Sequence, residues 1–236
     1  MSARVEREPA WVIHRRPWRE SSLLLDLFSL NRGRVSAVAK GAQRRNQPWQ
    51  SQLQPFVPLQ LAWLGRGSLK TLTGADPGPA VPALTGNRLY CGLYLNELIQ
   101  RLLPEEEPFP VVFTGYMEAL QALSQAPDST ALELPLRRFE WSLVSQLGYG
   151  LSLDRVSETG EPVRSDHSYC LDPEQGIRQT PGPGCRLQQL PGEHLLAMAV
   201  GDLSSVPVRR CAKRVMRVLI DHLLQGRPLH SRQLFR

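Results

Sequence analysis

The chain has 236 residues, of which 42% are hydrophobic and 21% charged, a balance that excludes a disordered chain and suffices for two domains with cores of their own. Its formal net charge of +6 is unevenly spread: residues 1–80 carry 12 basic and 5 acidic side chains, residues 81–206 carry 8 and 16, and residues 207–236 carry 8 and 1. Two basic ends around an acidic middle point to a polyanionic partner.

The first 80 residues read as short strands at 11–16, 23–30, 35–40, 59–64 and 68–73, with no helical period between them. Asn31, Arg32 and Gly33 make a hairpin turn, and Gly65, Arg66 and Gly67 a second one. Five short strands in one segment solve their edge problem as a small barrel. Residues 41–58 are polar, basic and too long for a tight turn, so they are expected as a surface loop with room for a short helix. Residues 74–83 (GADPGPAVPA) are the best domain boundary, which predicts domains at 1–80 and 81–236.

Beyond the boundary the period becomes helical. Helices are expected at 84–103, ended by Pro104, at 109–125, and at 132–147 with Gly148 as C-cap. Glycines and prolines break every period in 150–190, an irregular insert or small hairpin. Helices at 193–200 and 207–224 follow. The predicted class is α+β, a five-stranded barrel followed by a mainly helical domain.

No apolar run reaches the ~20 residues that span a bilayer. The start, MSARVEREPAW, lacks the apolar stretch of a secretory signal, so a cytoplasmic protein is expected. Cys91, Cys170, Cys185 and Cys211 are scattered and read as reduced thiols. Signals for catalysis are weak. Residues 65–71 (GRGSLKT) depart from phosphate-loop spacing and sit between strands. The five histidines lack ligand or acid–base spacing, and Glu105, Glu106 and Glu107 read as a solvated turn between helices. No catalytic residue, cofactor or metal ligand is assigned.

Nucleic-acid signals are stronger. Trp11, Trp18, Trp49 and Trp63 fall in the basic first segment, among Arg15, Arg16, Arg19, Arg44, Arg45 and Arg66. Aromatic rings stack on bases while guanidinium groups meet phosphates. Trp11 and Trp63 are expected in the barrel core, which leaves Trp49 as the stacking candidate and Lys40, Arg44 and Arg45 as the leading phosphate candidates, with Arg66 and Lys70 beside them. At about 100° per residue, Arg209, Lys213, Arg217, Arg210 and Arg214 fall at about 0°, 40°, 80°, 100° and 140° on the last helix. That stripe is a second DNA-binding candidate, or a solvated face balancing the acidic middle. Only three of the basic residues (Lys40, Lys70 and Lys213) are lysines. Arginine favours bidentate phosphate contacts, although genomic bias explains the ratio as well.

Several segments together carry a family likeness: residues 38–42 (VAKGA), 53–56 (LQPF), 65–72 (GRGSLKTL), 92–98 (GLYLNEL), 136–140 (LRRFE), 146–150 (QLGYG), 160–163 (GEPV) and 231–235 (SRQLF). In order and spacing the chain resembles the RecO family of bacterial DNA repair and recombination mediators, nearest its proteobacterial branch, over nearly its whole length. The resemblance implies an N-terminal oligonucleotide/oligosaccharide-binding (OB) barrel and a C-terminal helical domain. It implies binding of single- and double-stranded DNA, ATP-independent annealing of complementary strands, and loading of recombinase with RecR and other RecF-pathway proteins by a nucleoid-associated monomer. It also implies docking on the acidic tail of single-stranded DNA-binding protein (SSB), in an apolar pocket with a basic rim. The matching motif carries that rim onto Arg137, with Arg138 beside it; Arg138 could instead pair with a carboxylate on its own helix. Many relatives carry paired cysteines near GEPV that resemble a zinc site. Here Val156 and Thr159 stand in those places, so no zinc is expected. The alternative from another class is an adaptor that joins SSB and RecR without binding DNA; a hydrolase is more distant.

Overall fold

A computed structural model describes residues 4–45, 49–79 and 81–235. Residues 46–48 of the expected loop and residue 80 of the expected linker lie outside the described residues. The chain forms two compact units, Met1–Leu132 with Leu229–Arg236, and Glu133–Pro228.

In the first unit, β1 (Arg4–Trp18), β2 (Ser22–Ser29), β3 (Gly33–Ala39), β4 (Pro58–Leu64) and β5 (Leu69–Pro77) pair in the closed order β1-β2-β3-β5-β4. One long strand closes the ring. The first half of β1 pairs with β4 and its second half with β2, with breaks of register between Val5 and Glu8 and between Val12 and His14. Arg7, with φ of 52°, sits in the first break, where an extra residue bends a strand. Strand β5 runs parallel to β3, Leu69 opposite Ser36, and carries on through Gly74, Ala75 and Asp76. Those residues belong to the sheet and not to the linker that their glycine and proline content suggested.

Alternation sets the core. Leu23, Leu25 and Leu27 of β2 point inward with Val35, Ala37, Leu59, Leu61, Trp63 and Leu72. Leu53 and Ala42 pack against this cluster from the β3–β4 connection, whose short helix α1 spans Trp49–Gln52. Trp63 is core as expected. Trp11 is buried too, but edge-on to Tyr116, ring centroids 5.5 Å apart. Its partner belongs to α3 (Pro110–Gln125), which with α2 (Gly86–Leu102) covers one face of the barrel. There Phe28 packs against Phe113 at 5.4 Å, and Asn96 donates to the Ile13 carbonyl at 2.9 Å while accepting from the Tyr116 hydroxyl.

The turn between α2 and α3 is exposed, as expected, yet it is also tied to the barrel. Arg34 lies 3.4 Å from Glu105, Lys70 lies 2.6 Å from Glu106, and the Glu106 amide donates to the Arg34 carbonyl. A 3-10 turn over His230–Phe235 returns to α2, where Glu97 accepts from the amides of His230 and Ser231 at 2.9 and 2.8 Å.

The second unit holds α4 (Glu133–Val144), a wide π-turn over Ser145–Tyr149, then β6 (Ser168–Asp172), β7 (Gly176–Arg178), β8 (Leu187–Pro191), α5 (Gly192–Ala199) and α6 (Val206–Leu223). Gly148, expected as the C-cap, lies inside the π-turn with φ of 86°, a conformation that favours glycine, and Gly150 is the cap. The segment read as an irregular insert or a small hairpin holds a β6–β7 hairpin, extended by β8 to an antiparallel sheet ordered β7-β6-β8. Its strands are too short and too interrupted by turns to show an alternating pattern. Helix α6 begins after Ser205, whose side chain accepts from the Val208 amide, with proline in the first turn.

Candidate nucleic-acid and peptide interfaces

The predicted cations of the first unit separate into two places. Ala39 at the end of β3 pairs with Leu23, and the end of β1 turns into β2 beside it, Trp18 opposite Ser22. The residues after β3 are fastened to that turn: Gln43 donates from its amide to the Ser21 carbonyl at 2.9 Å and from its side chain to the Ser22 carbonyl. This brings Lys40, Arg44 and Arg45 to the same end of the barrel as Arg16 and Arg19. All five side chains are exposed, and among the described residues no carboxylate forms an ion pair with any of them. Like charges gathered without counter-charges raise the local potential, which a polyanion would relieve.

Arg15 in the same stretch is occupied. It donates to the carbonyls of Gln50 and Leu53 at 3.3 and 3.2 Å, holding α1 against β1. Trp49, the expected stacking residue, opens α1 and packs half-buried on the barrel core. Its apolar ring gains more from that packing than from standing in water.

Arg66 and Lys70 lie toward the other end. Their strand begins opposite the middle of β3, so the β4–β5 turn lies toward the start of β3, whereas Lys40 follows its end. Arg66 is exposed in that turn. The Lys70 side chain is 8% exposed and its ammonium is held by the Gly67 carbonyl and Glu106, each at 2.6 Å. A buried ammonium needs such partners, and Lys70 therefore serves the docking of the α2–α3 turn; it presents no open charge to a phosphate.

On α6 the stripe also divides. Arg210, Lys213, Arg214 and Arg217 are exposed. Lys213 lies 3.7 Å from Glu133, Arg217 lies 3.9 Å from Asp221, and Arg214 donates to the Gln188 carbonyl at 3.2 Å. Arg209 turns inward, its side chain 12% exposed, donating to the carbonyls of Leu203 and Ser204. Of the five, Arg210 is the one for which no hydrogen bond or ion pair is found among the described residues.

A pocket of about 260 Å³ opens in the second unit between α4, α5 and α6. Trp141, Met198, Leu203 and Met216 give it apolar walls, and Arg137 and Arg138 stand at it. Arg137 is buried and pairs with Glu140, Nη2 to Oε1 2.9 Å. Its Nε is buried with no hydrogen-bond partner among the described residues. Arg138 is exposed and forms no ion pair with a carboxylate among the described residues, so the pairing considered for Arg138 falls to Arg137. Leu136, Phe139 and Leu143 are buried packing residues. Such a site suits an acidic peptide ending in an apolar side chain.

Arg16 and Arg19, which share this end of the barrel, are not among the phosphate candidates read from the sequence, though the basic run around Arg15 is a usable signal. Trp141, Met198 and Met216 had no signal, because their place at the pocket depends on how three helices meet. Val156 is buried at 2% exposure beneath the 156–161 turn, and the Thr159 side chain accepts from the Glu161 amide.

Residues 1–78 match the family model described as the N-terminal part of recombination protein O, and residues 83–233 match the one described as its C-terminal part. A DNA repair protein RecO of Marinobacter nauticus is 50% identical over 235 residues, covering 100% of this chain and 96% of the relative. Those of Halorhodospira halophila and Methylococcus capsulatus are 44% and 43% identical, covering 97% and 99% of this chain and 96% and 94% of theirs. On two family models that together span nearly all of it, and on full-length relatives, the chain belongs to the RecO family.

Proposed function

We propose that this chain is a non-enzymatic mediator of DNA repair and homologous recombination, whose OB-type barrel binds single- and double-stranded DNA and anneals complementary strands on SSB-coated DNA. The observation that carries the reading is the set of five exposed cations, Arg16, Arg19, Lys40, Arg44 and Arg45, gathered at one end of the barrel without carboxylate partners among the described residues. Neutralising phosphates lets two negatively charged strands approach each other and releases counterions, so binding falls steeply with salt. Arg66 and the exposed cations of α6, Arg210 above all, extend the DNA-binding surface.

The pocket at Arg137 and Arg138 is the proposed seat of the acidic SSB tail. The exposed guanidinium of Arg138 beside the apolar walls supports it, because an acidic tail ending in an apolar side chain would meet both there. Docking there raises the local concentration of the protein at SSB-coated DNA. RecR is the proposed partner in loading recombinase, the chain acts as a cytoplasmic, nucleoid-associated monomer on its own, and no zinc or nucleotide takes part.

The test is annealing of complementary oligonucleotides coated with SSB, with and without its tail, across a salt series and without ATP. Tail-dependent, salt-sensitive annealing is the expected result. Tail binding without annealing or DNA affinity would replace this reading with that of an adaptor.

A further inference from the structure

Two of the four cysteine thiols meet in the second unit. Cys170 stands on β6, and Cys185 closes a turn whose amide donates to the Gly182 carbonyl at 3.0 Å. The Cys185 thiol donates to the Cys170 sulfur at 3.2 Å. The Gly182 amide donates to the Cys185 sulfur at 3.3 Å, and the Cys170 thiol donates to the Arg178 carbonyl at 3.4 Å. Cys170 is 1% exposed, whereas Cys185 is partly open to solvent. The guanidinium of Arg178 borders the same turn: a Cβ on Gly182 would stand 2.9 Å from its Nη1.

We propose that Cys170 and Cys185 form a reversible disulfide, made by a peroxide-class oxidant that reaches Cys185 first. The Cys185 sulfur, as thiolate, attacks one peroxide oxygen and the O–O bond breaks. The departing hydroxide leaves as water with the proton lost from Cys185, which becomes a sulfenic acid. The Cys170 sulfur then attacks the Cys185 sulfur, the S–O bond breaks, and the Cys170 proton leaves with that hydroxide as a second water. Two thiols and one hydrogen peroxide become one disulfide and two waters; sulfur is oxidised and peroxide oxygen reduced.

Access sets the order of attack. Cys185 is partly open to solvent, with the Gly182 amide and the Arg178 guanidinium beside it. Cys170 lies behind it, its pKa pushed up to about 12, mainly by burial and then by its bond to Cys185. Cys170 therefore stays a thiol until a sulfenic acid forms at hydrogen-bonding distance, the arrangement of a resolving cysteine. Among the described residues no group of three or more His, Cys, Asp or Glu side chains stands together as a metal site, so the pair is a two-thiol centre. The cross-link would tie β6 to the turn that leads into β8 and α5.

Full-length protein is treated with hydrogen peroxide, alkylated and digested with trypsin. Cleavage after Arg164, Arg178 and Arg186 puts Cys170 and Cys185 in separate peptides. The expected result is one species joining residues 165–178 to residues 179–186, which dithiothreitol separates. In Cys170→Ser, Cys185 should accumulate as a sulfenic acid that reacts with dimedone. In Cys185→Ser, Cys170 should survive the same dose. A thermal melt supplies a second readout: the oxidised wild type should unfold at a higher temperature than the reduced protein and return after dithiothreitol. Recovery of both cysteines as alkylated thiols, at a dose that oxidises an exposed model thiol, would overturn the proposal. So would overoxidation of Cys185 with Cys170 intact, cross-links to Cys91 or Cys211, or an unchanged melting temperature.

Discussion

Arg137 and Glu140 stand one turn apart on α4 with Nη2 2.9 Å from Oε1, their side chains 8% and 1% exposed, and Arg137 lines a pocket whose other cation, Arg138, is exposed. Adjacent arginines thus have different duties. Arg137 is part of the fold and faces the pocket; Arg138 belongs to the rim alone.

That difference separates two variants. Removing one partner of a buried ion pair costs about 3–5 kcal/mol, so Arg137→Ala should lose stability in urea unfolding as well as affinity for an acidic tail peptide. Arg138→Ala should unfold at the wild-type midpoint and bind the peptide on the order of tenfold more weakly, about 1.4 kcal/mol. Titration of a fluorescent tail peptide reads the second effect. Equal destabilisation by both variants would contradict the assignment.

The proposed DNA-binding surface is tested at Lys40, Arg44 and Arg45. Their combined reversal to glutamate should abolish annealing at moderate salt and leave the melting temperature near wild type, because all three are exposed. Every phosphate that the variant no longer neutralises should flatten the slope of log affinity against log salt by about 0.9 for duplex DNA. Lys70→Ala should behave the opposite way, lowering stability with little change in that slope, since its ammonium is held by Gly67 and Glu106.

Gly33 admits no side chain. Its φ is 64°, and a Cβ there would stand 1.8 Å from the Glu107 carbonyl oxygen. The left-handed conformation alone costs a non-glycine residue about 1–3 kcal/mol. Gly33→Ala should therefore lower the melting temperature and release the α2–α3 turn, which increased amide exchange at Glu105, Glu106 and Glu107 would report.

Glu97 makes the docking of the C-terminal turn depend on pH. Burial raises its pKa, but the hydroxyl and amide of Ser231, the amide of His230 and the charge of Arg101 outweigh that and hold it below the usual glutamate range. A lowered folded-state pKa stabilises above the unfolded value and is lost as pH falls through the lowered one. Residues 230–235 should therefore stay docked at neutral pH and become sensitive to proteolysis in acid below the ordinary glutamate range. Glu97→Gln should weaken docking at neutral pH and remove most of that dependence.

Local and periodic features are legible along the chain. Alternation in 23–30 and 59–64 marked strands, the helical period marked α2 to α6, and the terminal basic segments were plain from charge counts. These depend on neighbours within a few residues, which is the range of side-chain periodicity and turn chemistry. In 150–190 no more than a small hairpin, beside an irregular insert, was legible, because turns interrupt β6 to β8 before any pattern accumulates. Tertiary structure alone decided which charges are open. Lys70 and Arg66 sit in one motif, yet a carboxylate 36 residues from Lys70 occupies its ammonium while Arg66 stays exposed. Arg137 and Arg138 are adjacent, yet α4 turns them to different surroundings. Cys170 and Cys185 meet only because strand pairing folds the chain back between them. Whether a polar group is satisfied depends on partners brought from afar, and no count along the chain contains that information.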